Sequence, residues 1–280
     1  MKTIICPTDF SQASENAVKY ALALNKHFNA KIILLHTYET PVLYTDIAPF
    51  TMQMDYKFVH DSAAKKLKAF HKKIMADGPF KVELVLQQGV ASYRINELAV
   101  EKKADMVIMG ATGTGAAERL LIGSNAARVA NNATCKVLIV PAKAKFGGID
   151  KMVYATDLSD DNLKHAKEIF PFAKKLKAEI QFLYIDSDLK NSDEILERVT
   201  KTIRKKISYA KKSGYVCNDP LVLNGLSFFL KNKKADCIVL YHHHRNIFQS
   251  IFKSSVSKNF SLHSNIPVLI IHQNDLSFRE

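Results

Sequence analysis

Glycine and small hydroxyl residues crowd one stretch, Met109-Gly110-Ala111-Thr112-Gly113-Thr114-Gly115, and a glycine-serine pair follows at Gly123-Ser124. The spacing Gly110-x2-Gly113-x9-Gly123-Ser124 suits capture of phosphate. Glycine permits left-handed backbone and close approach of N–H groups to an anion, and a helix starting at Ser124 would add free N–H groups and partial positive charge. Two commoner phosphate loops are excluded. Counting from Gly113 and Gly115, the third glycine of a dinucleotide fingerprint falls on Glu118, and no Gly-Lys pair exists to make a Walker A loop. A connector that holds no ligand is the plain alternative for any glycine loop.

Elements that could position such a loop are legible on both sides of it. The apolar run Ala104 to Met109 reads as a buried strand, and Asn125 to Ala130 has helix-forming composition. Upstream, Thr3 to Cys6 is a short strand, Asp9 and Ser11 supply turn and cap chemistry, and Ala17, Ala21, Leu24 and Phe28 form a helical stripe. Lys31 to His36 and Val82 to Leu86 read as strands, Ala63 to Ile74 and the region of Ile95, Leu98 and Ala99 as helices, and Val137 to Val140 as a further strand. Between them, Tyr38 to Phe58 lacks periodicity and is expected to be a long loop with at most one short helix. Apolar strands separated by amphipathic helices predict an α/β fold, a doubly wound parallel sheet covered on both faces.

The second half repeats the first. Thr156-Asp157-Leu158-Ser159 matches Thr8-Asp9-Phe10-Ser11 at an offset of 148, as Ile180 to Tyr184 matches Ile32 to His36. Ala235 to Leu240 matches Ala104 to Met109 at 131, as Val268 to Ile271 matches Val137 to Val140. Two constant offsets imply a duplicated domain, residues 1–142 and 151–280 joined by a linker at 143–150, with a net loss of 17 residues in the second copy, most naturally in the counterpart of the Tyr38 to Phe58 loop. The copies are chemically unequal. Tyr241 stands opposite Gly110, His244 opposite Gly113 and Ser254 opposite Gly123. The second copy is therefore expected to hold no phosphate in this manner, although it keeps Asp157.

The loop glycines together with Pro7-Thr8-Asp9-Phe10-Ser11 resemble the universal stress protein family, in its ATP-binding branch, and the internal repeat extends the resemblance over nearly the whole chain as a tandem. The resemblance implies two Rossmann-like domains of the adenine nucleotide alpha hydrolase type. It further implies ATP or another adenine nucleotide in the first, with any Mg²⁺ carried on the phosphates. By the same carry-over Pro7, Thr8 and Asp9 meet the purine and ribose, Thr37 offers backbone groups to the adenine edge, and Met109 and Gly110 lie along the ribose. Gly113 approaches the phosphates, and Gly123, Ser124 and the N–H of Asn125 hold the terminal groups. Asn125 departs from the aliphatic residue common in the family. Family domains associate through their last strands, here Val137 to Val140 and Val268 to Ile271, so an intramolecular pseudo-dimer is implied, and a homodimer of chains is compatible with it.

Bulk properties narrow the remaining classes. The chain has 280 residues, 47% apolar and 24% charged, which is globular composition; no run is long enough to span a membrane and no signal segment is present, so a cytoplasmic location is expected. Cys6, Cys135, Cys217 and Cys237 show no C-x-x-C spacing and read as reduced packing residues. The net charge of +13 invites nucleic acid, but Lys65, Lys66, Lys68, Lys72 and Lys73 surround the stripe Ala63, Leu67, Phe70 and Ile74, and Lys201 to Lys212 surround Leu196, Val199, Ile203 and Ile207. These are solvated helix faces without stacking aromatics, so no nucleic-acid groove is expected. In His242-His243-His244 only His242 and His244 would point to one side, with no further ligand in sequence reach, and no metal ligands are assigned. No catalytic constellation is assigned either: His36 reads as a buried, hydrogen-bonded residue. The leading expectation is a nucleotide-binding stress-response regulator; a slow ATPase or phosphotransfer enzyme and a nucleotide-free interaction scaffold stay open beside it.

Overall fold

Continuous β-branched and leucine-rich runs form strands here because both faces of the sheet they build are covered, which leaves no polar face to alternate with. A computed structural model describes residues 1–39, 56–75, 80–111, 122–188, 192–242 and 265–272. Gly113, Gly115, Arg119, most of the Tyr38 to Phe58 stretch, His243, His244 and Ser254 lie outside the described residues. The first half runs β1 (Thr3–Pro7), α1 (Gln12–Asn25), β2 (Lys31–Tyr38), α2 (Tyr56–Ile74), β3 (Val82–Gln88), α3 (Ala91–Glu101), β4 (Met106–Gly110), α4 (Ser124–Asn132) and β5 (Lys136–Val140). The second runs β6 (Lys151–Ala155), α5 (Asp160–His165), a 3₁₀ turn (Ala166–Ile169), α6 (Phe170–Leu176), β7 (Glu179–Asp186), α7 (Ser192–Lys206), β8 (Lys212–Asn218), α8 (Val222–Lys233), β9 (Cys237–Tyr241) and β10 (Val268–Ile271).

The ten strands form one sheet in the order β3-β2-β1-β4-β5-β10-β9-β6-β7-β8, so the second half mirrors the order of the first. Every pair is parallel except β5 with β10, whose antiparallel register sets Leu138 opposite Leu269, Val137 opposite Ile270 and Ile139 opposite Val268. Leu138 and Leu269 are equivalent residues of the repeat. The contact is therefore self-complementary, as a two-fold axis through that pair requires. Around it Phe28 stacks on Phe172 with ring centroids 5.3 Å apart, and Asn16 Nδ2 donates to the carbonyls of Pro141 (2.9 Å) and Ala144 (2.8 Å). Phe146 packs edge-on against Tyr20, so the connector after β5 is tied to α1 despite its glycines.

One apolar layer lies under α1, α2, α5, α6 and α7, the other under α3, α4 and α8, which is the expected double winding. Ala63, Leu67, Phe70 and Ile74 are all buried while Lys65, Lys66, Lys68, Lys72 and Lys73 are exposed. In α7 the stripe needs correction: Val199, Ile203 and Ile207 are buried, but Leu196 is 42% exposed and its neighbour Ile195 packs on the core. Phe28 likewise lies beyond the end of α1, in the turn that reaches the second half. The third strand extends past Leu86 because Gln87 and Gln88 still pair with Thr37 and Tyr38. The shortening of the second half is shared: the connector before α7 has five residues, 187–191, against the seventeen of 39–55, and α7 has 15 residues against 19 in α2. None of the four cysteines is in a disulfide, three of them are buried, and burial pushes the thiols of Cys6 and Cys237 up to about 12. Among the described residues no helix is long and apolar enough to cross a membrane.

Candidate functional site

Parallel strands with helices on both faces leave a crevice at their carboxyl ends, where the chain turns toward one face from one strand and the opposite face from the next. In the first half that crevice is a cavity of about 610 Å³ at the ends of β1, β2 and β4. Of the ten residues singled out in sequence, nine line it: Pro7, Thr8, Asp9, Thr37, Met109, Gly110, Gly123, Ser124 and Asn125. Gly113 lies outside the described residues.

The loop after β1 is built by its own short polar side chains. Thr8 Oγ1 accepts from the N–H of Phe10 (3.0 Å), and Asp9 Oδ1 accepts from the N–H of Ser11 (3.0 Å) and from its hydroxyl (2.5 Å). These bonds hold Phe10 in the left-handed region, φ 65°, which a bulky residue seldom adopts unless its surroundings fix it. Ser11 then caps α1 by accepting from the N–H of Ser14 (3.2 Å), and the Ser14 hydroxyl returns to Ser11 O (3.0 Å) and lies 3.0 Å from Thr8 Oγ1.

His36 secures this loop from behind. Its Nδ1 is 2.8 Å from Thr8 O, to which it donates, and its ring lies 4.2 Å from that of Phe10. Burial holds the imidazole below its ordinary pKa; the bond to Thr8 and the charge of Asp9 oppose that, and Lys66 adds to it. His36 is thus a neutral brace, hydrogen-bonded as its position in sequence suggested but half-buried rather than buried, and it is absent from the cavity lining.

The other wall is made by what is missing. A Cβ on Gly110 would lie 2.9 Å from Ala13 C and 3.1 Å from Ser14 N, so only glycine lets the first turn of α1 rest against the end of β4. Opposite, the N–H of Gly123 donates to Ala111 O (2.6 Å) and α4 begins with no side-chain cap. The first N–H groups of a helix have no partner within it, and Ser124, Asn125 and Ala126, which carry them in α4, line the cavity.

Sequence reasoning missed Ser14, Glu39, Gly89, Ala91 and Ile95, which also line the cavity. Gly89 was the available signal: it follows β3 at φ 130° and opens α3, another strand, glycine, helix junction.

The second half keeps the loop and puts a large side chain where the first half has Gly110. Leu158 N–H donates to Thr156 Oγ1, Ser159 N–H to Asp157 Oδ1 and Asn162 N–H to Ser159 Oγ, with Leu158 at φ 63°. Tyr241, however, occupies the place of Gly110, and its ring stacks on His165 at 4.5 Å, where the first half has Ala17. The single helix α1 is replaced by α5, a 3₁₀ turn and α6. Pro171, which has no N–H to give the preceding turn, marks the break, and Tyr154 OH donates to Asn162 O beside it.

Comparison with known proteins places this geometry among relatives. Residues 1–141 match the profile described as Universal stress protein family. A universal stress protein of Methanocaldococcus jannaschii is 33% identical over 151 residues, 51% of this chain and 84% of that protein. A universal stress protein of Thermus aquaticus is 29% identical over 143 residues, 50% of this chain and 98% of its own length. Over both halves, the crystal structure of a universal stress protein from Archaeoglobus fulgidus superposes with a TM-score of 0.69, covering 98% of this chain and 97% of that one at 18% identity.

Proposed function

The chain belongs to the universal stress protein family, and from that premise we propose that its first half binds one adenine nucleotide, ATP among them, as the regulatory ligand of a stress-response protein. The observation that carries the reading is the convergence of three separate stretches, Pro7 to Asp9, Met109 with Gly110, and Gly123 to Asn125, on one cavity that ends at an uncapped helix N-terminus. The N–H groups at a helix start suit phosphate; the apolar wall of Leu35, Met109 and Ile95 suits a purine.

In this reading Pro7, Thr8 and Asp9 meet the purine and ribose, Thr37 the adenine edge through its backbone, and Met109 and Gly110 the ribose. Gly113, Gly123, Ser124 and Asn125 hold the phosphates, and Mg²⁺ would bind the phosphates with water. Asp9 has Oδ1 committed to the Ser11 turn, which fixes the carboxylate at the cavity wall. Residues 151–280 form a second domain, joined through 143–150, that binds no nucleotide; the β5–β10 register supports pairing of the two as an internal pseudo-dimer.

The test is to denature freshly purified protein and identify released nucleotide by chromatography, beside a Gly123→Val variant. About one adenine nucleotide per chain, absent from the variant, is expected. An empty protein that also takes up no added ATP overturns the proposal.

A further inference from the structure

The second half has lost its glycines, but the same strand ends carry a different chemistry. Tyr241 and Ile271 are paired in the parallel ladder of β9 and β10, and the N–H of His242 donates to Ile271 O at 2.8 Å. His242 and His272 therefore leave adjacent strands side by side, and their rings lie 5.1 Å apart with 32° between planes. Two imidazoles sharing one ion at ~2.1 Å and an angle near tetrahedral have centroids about 5 Å apart.

His272 supplies the decisive detail. It is 8% exposed, and its Nε2 lies 2.7 Å from the carbonyl of Ala130 in the first half. A carbonyl only accepts, so Nε2 carries the proton and Nδ1 presents a lone pair. That Nδ1 is buried with no hydrogen-bond partner, an arrangement that costs free energy unless something binds there. Metal-ligating histidines commonly have this form: one ring nitrogen donates to a backbone carbonyl, which fixes the ring, and the other faces the ion.

We propose that His242 and His272 form a binding site for a divalent transition metal at the ends of β9 and β10, with water completing the coordination. Imidazole nitrogen selects copper, nickel or zinc over magnesium and calcium, and copper binds such a pair most tightly. Among the described residues no group of three or more His, Cys, Asp or Glu side chains is arranged to hold an ion, so this pair is the whole of the protein ligand set that they supply. The equivalent residues of the first half are Ala111 and Pro141, neither able to ligate; Ala111 lines the nucleotide cavity instead. The two halves thus use corresponding strand ends for different ligands. In sequence His272 lies thirty residues from His242, and only the strand register unites them.

The test is a titration of the full chain with Cu²⁺ against a weak competing chelator, followed by electron paramagnetic resonance. One Cu²⁺ per chain with hyperfine coupling to two imidazole nitrogens is expected. His242→Ala, at a partly exposed position, should lower affinity at least about tenfold, and a His243→Ala, His244→Ala double variant should retain it. His272, whose replacement could disturb packing, is followed without substitution by the ¹⁵N shift of its Nδ1 on adding Zn²⁺. The proposal is overturned by absence of stoichiometric Cu²⁺ binding, by unchanged affinity in His242→Ala, by loss of binding in the double variant, or by an unmoved His272 Nδ1.

Discussion

The two halves share the three side-chain-to-backbone bonds that hold the loop after their first strand and differ in what stands across from it. Thr8 and Thr156, Asp9 and Asp157, Ser11 and Ser159 make the same bonds, and Phe10 and Leu158 share the same left-handed backbone. An aspartate at this place is therefore a strut of the fold before it is a ligand contact. What separates the halves is the residue at the end of the fourth strand. Gly110, without a side chain, lets the first turn of α1 rest against the end of β4; in the second half Tyr241 packs its ring on His165, and the helix there is broken before Pro171.

The comparison can be broken most forcefully at Tyr241. Replacement by glycine removes a buried ring and its stack on His165, and a loss of about 3–5 kcal/mol is expected in urea unfolding. No nucleotide site should appear in the second half, because His244 and Ser254 still replace glycines of the repeat. A variant of unchanged stability would show that Tyr241 does not hold the broken helix in place.

The reciprocal change, Gly110→Tyr, forces a side chain into the backbone of Ala13 and Ser14. A cost of about 1–3 kcal/mol is expected from overpacking, together with loss of ATP binding in calorimetry. Retained binding would mean that the cavity wall is not what confers it.

Alanine at Asp9 and at Asp157 sharpens the contrast. Each should cost about 1 kcal/mol, the worth of a turn hydrogen bond, and the two unfolding midpoints should shift alike. Only Asp9→Ala should weaken ATP.

The smallest effect concerns His36, whose counterpart is Tyr184. Burial lowers its pKa, so as pH falls below about 6.5 the unfolded chain takes up a proton before the folded one. The stability contributed by neutral His36 is present above that pH and is lost on acidification through the folded pKa. Its Cε1–H resonance should titrate below the ordinary histidine midpoint; a midpoint above it would contradict the brace.

Much of this was legible in the sequence because the causes are local. Buried strands declare themselves as apolar runs, the repeat gives both halves the same order, and glycines mark where backbone must come close. What sequence could not yield depends on register and on packing between distant segments. Ser14 and Glu39 line the cavity through the placement of α1 and β2, Leu196 turns outward because α7 packs through Ile195, and His272 meets His242 only through the pairing of β9 with β10. Asp157 shows the opposite limit: its motif is intact in a half where Tyr241 stands in the place of Gly110.

The most direct measurement is photo-crosslinking with an azido-adenine nucleotide, with stoichiometry taken by titration and the labelled peptides mapped by mass spectrometry. The account predicts saturation at one nucleotide per chain and labels confined to residues 1–142. Two equivalents per chain, or labels within residues 151–280, would contradict it.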